Sequence, residues 1–244
     1  MLRKLEPLLC ELHAHTTWSD GSLDLPDLVD LYGRSGFDVL AVTDHVNRSD
    51  DPWAATTGPY GVHAGNHTAY FAAVEQEAER AERDYGLLVL PGLELSVNDF
   101  DPLRAAHAVA VGCSTFVGVD DGLEQALAGA RDAGAALVAA HPFDAPYASS
   151  PGRTTMRWAS EWRDLAPLVD RWELFNREQL FAWVAEAGLP AVANGDFHRG
   201  EHLYGWKTLL PCRRDRGAIV EYLRSARPAF LTRIARGAAL RDAA

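Results

Sequence analysis

The chain has 244 residues, 48% of them hydrophobic and 23% charged. That is enough for one barrel or one large α/β domain and excludes a disordered tail. Lys and Arg number 23 against 34 Asp and Glu, a net charge of −11. A surface this acidic argues against non-specific nucleic-acid binding, which needs a basic face. It still admits a small phosphorylated substrate where cations offset the field locally. No apolar run approaches the roughly 18 residues of a membrane span, and the first residues lack the apolar stretch of a secretory signal. Cys10, Cys113 and Cys212 lie far apart with no CxxC, the pattern of reduced thiols, so a cytoplasmic location is expected.

Short apolar runs alternate with amphipathic stretches. Residues 7–13 form an apolar strand that ends in histidine, and 23–35 repeat apolar residues at helical spacing, with Pro26 in the first turn and Gly36 as the stop. A buried strand is expected at 38–43, a long charged helix at 66–85 closed by Gly86, and strands at 87–95 and 105–111. A helix at 123–133, strands at 135–140 and 171–175, a helix at 177–187, a strand at 190–193, a helix at 217–225 and a strand at 229–232 complete the series. Near-continuous apolar strands separated by helices predict a parallel sheet covered by helices, and about seven such units suit a closed or nearly closed barrel. One domain is expected over 1–244, with a tail at 235–244 that frays. Two long loops, 46–65 and 143–157, follow strands and would rise from the face where barrel enzymes keep their chemistry.

The polar residues fall at the strand ends. His13 and His15 end the first strand, Asp44 and His45 the second and Glu94 the third; His107 opens the fourth, His141 ends the fifth, and Asp196 and His198 end the last motif-bearing strand. One-residue spacing in His13-x-His15 and in Asp196-x-His198 turns each pair to one face. Converging Asp, Glu and His are costly to bury without cations. Imidazole and carboxylate without thiolate suit Zn, Mn or Fe at a catalytic site rather than a structural zinc finger.

These segments resemble the PHP (polymerase and histidinol phosphatase) superfamily. His13-Ala14-His15-Thr16-Thr17-Trp18-Ser19-Asp20-Gly21 is similar to its first motif, Thr43-Asp44-His45 to its second, Ala140-His141-Pro142 to its third and Gly195-Asp196-Phe197-His198 to its fourth. The stretches 92–96 and 107–112 resemble its bridging-glutamate and histidine segments. The resemblance implies a distorted (β/α)7 TIM-like barrel, the PHP fold, holding two to three divalent transition metals (Zn, Mn or Fe). By motif, His13, His15, Glu94 and Asp196 would hold one metal, Glu94 with His107 and His141 a second, and Asp20, His45 and His198 a third. It implies a phosphoesterase acting on a small organic phosphate, a monoester or a short nucleotide, through a metal-bridging hydroxide. Asp20, His198 and Arg177 are the candidate catalytic residues. The alternatives are hydrolysis of another bond at the same metals, an amide or a cyclic ester, and a non-catalytic metal-binding module.

Two departures loosen the substrate assignment. The stretch between His107 and His141 leaves room for one helix and one strand, so the lid of nucleotide-hydrolysing members is missing or replaced by the two long loops. Asp20 stands where histidinol phosphatases more often carry histidine.

Other residues carry two readings each. Arg177 either clamps a substrate phosphate or is a surface charge at a helix start, and Arg153 and Arg199 are similar. Glu173 either orients a ligand histidine or forms a structural ion pair, and Asp44 is expected to cap or to brace a ligand. His63, His67 and His202 are solvated loop histidines, or else a substrate contact or general acid. Trp53, Tyr60, Tyr147 and Trp158 either anchor the long loops or stack on a substrate ring.

Overall fold

A computed structural model describes residues 6–53, 60–146, 154–225 and 227–236. Tyr147 and Arg153, and parts of both long loops, lie outside the described residues. The elements run β1 (Leu8–Glu11), α1 (Leu25–Arg34), β2 (Val39–Val42), β3 (His45–Asn47), α2 (His67–Tyr85), β4 (Leu88–Val97), β5 (Ala106–Val111), α3 (Leu123–Asp132) and β6 (Ala136–Ala140). Two single-turn helices, α4 (Arg157–Ser160) and α5 (Trp162–Leu165), precede β7 (Arg171–Asn176), β8 (Gln179–Leu180) and α6 (Ala182–Glu186). Then come β9 (Ala191–Asn194), β10 (Gly205–Leu210), α7 (Arg216–Arg224) and β11 (Phe230–Ile234).

The strands form one curled sheet in the order β11-β10-β1-β2-β4-β5-β6-β7-β8, with β9 pairing β7 and β3 pairing β4. A bridge between Ala14 and Phe197 brings the chain after β9 back beside the chain after β1. The result is a distorted TIM-like barrel. The expected parallel sheet needs correction: β10 runs antiparallel to β1 and β11, β8 antiparallel to β7, and β5 antiparallel to both β4 and β6. The connection between β4 and β5 contains no helix, and a parallel return needs a crossover of a dozen residues or more. This reversal explains the site. The start of an antiparallel strand lies at the same end as the finish of its neighbours, so His107, opposite Ser96 and Ala140, joins the residues at the other strands' ends.

Alternation along the strands separates two apolar layers. Leu40, Val42, Ala108, Ala110, Leu137 and Ala139 pack outward with the helices, while Cys10, Val39, Ala41, Val109, Ala136 and Val138 share the other layer with Ile219, Tyr222 and Leu223 of α7. The α7 helix meets the strand starts, away from the histidines. Buried Arg171 seals it by donating to the carbonyls of Leu223, Tyr222, Ser225 and Arg227, groups that a helix end leaves unsatisfied. The helix expected over 177–187 is shorter: a turn at Arg177 and the strand β8 precede α6.

Candidate metal centre

Six histidines and three carboxylates converge where the strands end. Glu94, on β4 and fully buried, stands at the middle. One oxygen lies 3.3 Å from His13 Nε2 and 3.1 Å from both His107 Nδ1 and His141 Nε2. The other lies 3.4 Å from His15 Nε2 and 2.7 Å from His45 Nδ1. Asp196 Oδ1 is 3.6 Å and 3.4 Å from the Nε2 atoms of His13 and His15. At the rim, Asp20 Oδ1 is 3.5 Å from His45 Nε2 and 3.2 Å from His198 Nε2. All nine residues singled out as metal-ligating in the sequence are therefore brought together.

Their donor atoms group as His13 with His15 and Glu94, as His45 with Glu94 and His107, and as His15, Asp20, His45 and His198, each group within 4.8 Å. His15 and His45 each serve two groups, a sharing that the motif-by-motif partition did not foresee.

The ring protons decide what such a cluster can accept. His13 Nδ1 donates to Glu173 Oε1 at 2.9 Å, His107 Nε2 to Asn98 Oδ1 at 2.9 Å and His198 Nδ1 to the Asp196 carbonyl at 3.0 Å. Three more rings meet hydroxyls whose own proton is already committed. Thr155 donates to the His141 carbonyl, Ser96 to the Glu94 carbonyl and Ser19 to Asp44, so each accepts from His141, His45 and His15 respectively. Every ring thus has an acceptor for one N–H, the arrangement that fixes a metal-ligating histidine and leaves its other nitrogen to a cation. Inward, His13 Nε2, His15 Nε2 and Glu94 Oε2 are buried without a hydrogen-bond partner. Acceptors facing acceptors in a buried pocket repel, and divalent cations satisfy them. The donor set fits.

Electrostatics without a cation reports the same tension. Burial pushes the Glu94 carboxyl up, yet His45, His13 and His107 hold it well below the usual carboxylate range. Asp196 is held low by Arg177, His13 and His198 against its burial, and Asp20 by His45 and His198. Burial lowers His198, but Asp196 and Asp20 raise it to about 10. His15 falls to about 3 through burial and the adjacent His198 and His45.

A layer of buried groups braces the cluster. Glu173 accepts from His13, from the His141 backbone N–H at 2.7 Å, and from the Asn176 and Asn194 amides, so it orients histidine rather than forming a stray ion pair. Asp44 accepts from the Thr16 amide and hydroxyl and from Ser19, tying down the 15–21 turn that carries Asp20. Asn98 is itself fixed by Asp51, at 2.7 Å; neither was singled out in the sequence, where an asparagine after a strand carries no periodic signal. Backbone strain concentrates here: among the described residues only His141, Arg177 and Asp196 have positive φ without being glycine, at +29°, +56° and +43°. Arg177 is not a helix-start charge. Its guanidinium turns inward and donates to Asp196 Oδ2 at 3.0 Å and to the Asp196 carbonyl at 2.9 Å.

The cluster floors a cavity of about 740 Å³, whose walls include Trp53, Tyr60, Phe143, Arg177, His202 and Tyr204. Trp158 is fully buried and donates to the His107 carbonyl, so it anchors the site and does not face substrate. His67 stacks on Phe116, and Arg199 lies exposed beside Glu201. Neither these two nor His63 lines the cavity. Burial and Arg177 lower His202 to about 4.

A family model, described as the PHP domain, matches residues 11–151. The chain belongs to the PHP domain family. Glu173, Arg177, Asp196 and His198 lie beyond the matched stretch, so the fold supplies them to the PHP site from its C-terminal third. A two-domain protein from Bacteroides vulgatus containing a predicted PHP-like metal-dependent phosphoesterase superposes with a TM-score of 0.65 at 19% identity. The match covers 95% of this chain and 66% of that one, so this PHP chain spans just under two thirds of its relative. An amidohydrolase from Chromobacterium violaceum, solved with sulfate and no metal, matches at 18% identity and a TM-score of 0.49, over 78% of this chain and 87% of its own. No curated protein matches the sequence. No helix among the described residues is long and apolar enough to cross a membrane.

Proposed function

We propose that this chain is a metal-dependent hydrolase, a phosphoesterase that cleaves a small organic phosphate, either a monoester or a short nucleotide. The observation that carries the reading is the set of five histidines converging on Glu94, with His198 beside Asp20 and Asp196, at the floor of an open cavity. His13, His15, His45, Glu94, His107, His141, Asp196, His198 and Asp20 would hold two to three divalent transition ions, Zn, Mn or Fe. Bound divalent cations supply charge that neutralises phosphate oxygens and acidifies water near neutral pH.

The remaining work falls to the chain. Glu94 reaches ligand atoms on both sides and keeps the subsites in register. Asp20, with 41% of its side chain exposed, and His198 stand at the rim, where a substrate contacts them. Arg177 presents a charge beside Asp196 and His198 to the phosphate. With nine liganding positions held by competent residues, a non-catalytic role is disfavoured. The net charge of −11 supports a small substrate over nucleic acid. In this reading the chain works as one PHP domain, in the cytoplasm.

One observation favours a second reading. The Arg177 fork is engaged by the carboxylate and the carbonyl of Asp196, and an arginine so occupied leaves less for phosphate, which suits hydrolysis of an amide or a cyclic ester. Metal analysis of gently purified protein, with phosphate release from a panel of small esters, separates the two. Two to three transition ions per chain with phosphate release supports the phosphoesterase; full occupancy without release moves the reading to another bond. Glu94→Gln should lose metal and lower turnover by orders of magnitude while the barrel stays folded, and near-native activity in that variant would overturn the site.

A further inference from the structure

Among the described residues, His202 is the histidine of the cavity wall that is left with an unpartnered N–H. It follows the fourth motif in a short 3-10 turn, Gly200–Leu203, and its ring lines the same cavity as Arg177 and Tyr204. The His198 backbone N–H points at His202 Nδ1 from 3.1 Å. A backbone N–H only donates, so Nδ1 must accept, and the ring is held neutral with its proton on Nε2. That Nε2–H has no hydrogen-bond partner among the described residues. In the six rings of the cluster, by contrast, one N–H is already spent on a protein acceptor.

The turn itself is fixed from below. Lys207 Nζ donates to the His202 carbonyl at 3.1 Å and pairs with Glu11, and Glu11 accepts from the Gly195 N–H. One buried carboxylate therefore sets both the strand end that carries Asp196 and His198 and the turn that carries His202. This places a rigid, uncharged donor beside a site that otherwise offers acceptors and positive charge.

The geometry points to His202 as a substrate-contacting residue: its Nε2–H donates to an oxygen of the phosphate group bound at the cluster. The inference rests on the phosphoesterase reading. A neutral donor fits this position because it adds no charge to repel the ions and carries no lone pair to compete as a ligand. It differs from Arg177, whose fork is taken by the carboxylate and carbonyl of Asp196. Its proton is held by the imidazole throughout and is not transferred to substrate.

The test is binding of inorganic phosphate to zinc-loaded protein, followed by calorimetry. His202→Asn keeps an acceptor for the His198 N–H but withdraws the donor at the Nε2 position, and His202→Gln carries an amide N–H to that position. Loss of a hydrogen bond to a charged group should raise the Kd for phosphate about tenfold or more in the Asn variant. It should recover most of that in the Gln variant, with zinc content and Tm unchanged in both. The wild-type protein offers a second readout: the His202 Nε2–H proton resonance should move downfield when phosphate is added. Phosphate affinity within twofold of wild type in His202→Asn, a loss of zinc in step with the loss of phosphate, or an unmoved resonance would each overturn the assignment. Zinc-loaded wild-type protein that binds no phosphate would overturn the phosphoesterase reading and this contact with it, an outcome separate from the variant results.

Discussion

Glu11 and Lys207 sit 2.8 Å apart with neither side chain reaching solvent. The carboxylate also accepts from Gly195 N–H and from the Tyr32 hydroxyl, and the ammonium from its other side holds the His202 carbonyl. Gly195 has no room for a Cβ, which would meet Lys207 Nζ and Glu11 Oε2. The pair therefore sets how closely the end of β9 approaches β1, and with it the distance between His13-x-His15 and Asp196-x-His198.

Removing one partner should expose that dependence. Lys207→Met strands a buried carboxylate, and breaking a buried pair this way costs about 3–5 kcal/mol. Replacing both residues with apolar ones of similar volume should cost much less, since the desolvation cost of both charges disappears. Urea unfolding of both single variants and the double variant measures this as a coupling energy. A Lys207→Met protein as stable as wild type would mean that the pair is spectator chemistry.

Glu173 accepts four hydrogen bonds, one from His13 and one from the backbone of His141. Glu173→Gln places an amide among groups that all donate, and His13 loses the acceptor that keeps its lone pair turned inward. Metal affinity should fall about 10–100-fold, the usual consequence of losing such a partner, with the fold retained. Competition against a chelator of known affinity reads this directly. Unchanged affinity would reduce Glu173 to a structural residue.

Much of this site was legible because its chemistry sits at strand boundaries. His13-x-His15 announced itself by period, and the clustering of histidine with carboxylate at strand ends announced cations. The long helix ending at Gly86 was also plain: Gly86 takes the left-handed conformation, φ 65°, in which the helix stops. What the sequence hid is what depends on distant pairing. The reversal of β5 follows from a missing crossover helix, and its apolar run AHAVAV looks alike in either direction. Strand β10 was missed because GWKTLL is interrupted by Lys207, and only the fold reveals that this lysine is buried against Glu11. Arg177 looked like a helix start because the residues after it are amphipathic. In the structure Asn194 and Trp206 bracket its backbone in a left-handed turn.

That turn bears on what Arg177 does. Arg177→Ala should raise KM for phosphate esters about 10–100-fold, the cost of one or two charge-assisted hydrogen bonds, with a smaller loss of metal because Asp196 also loses its brace. Arg177→Lys should recover little, since a single ammonium cannot reach Asp196 and a phosphate with the geometry of a fork. Steady-state kinetics beside metal counting separates the two effects. An unchanged KM in the Ala variant would leave Arg177 with the Asp196 contact alone.

Metal removal should destabilise the protein, since His13 Nε2, His15 Nε2 and Glu94 Oε2 have no other partner in the buried cluster. Ions bind the folded site and not the scattered residues of the unfolded chain. Stability should therefore rise by about 2.7 kcal/mol at a metal concentration 100 times Kd. For a domain of this size each kcal/mol moves Tm by about 2–4 °C. Scanning calorimetry should find Tm about 5–10 °C lower after exhaustive chelation, and zinc or manganese should restore it where magnesium does so poorly, because imidazole nitrogen is a weak ligand for hard cations. In Glu94→Gln the restoration should be lost. Identical melting of chelated and metal-supplemented wild-type protein would show that the inward lone pairs hold no metal.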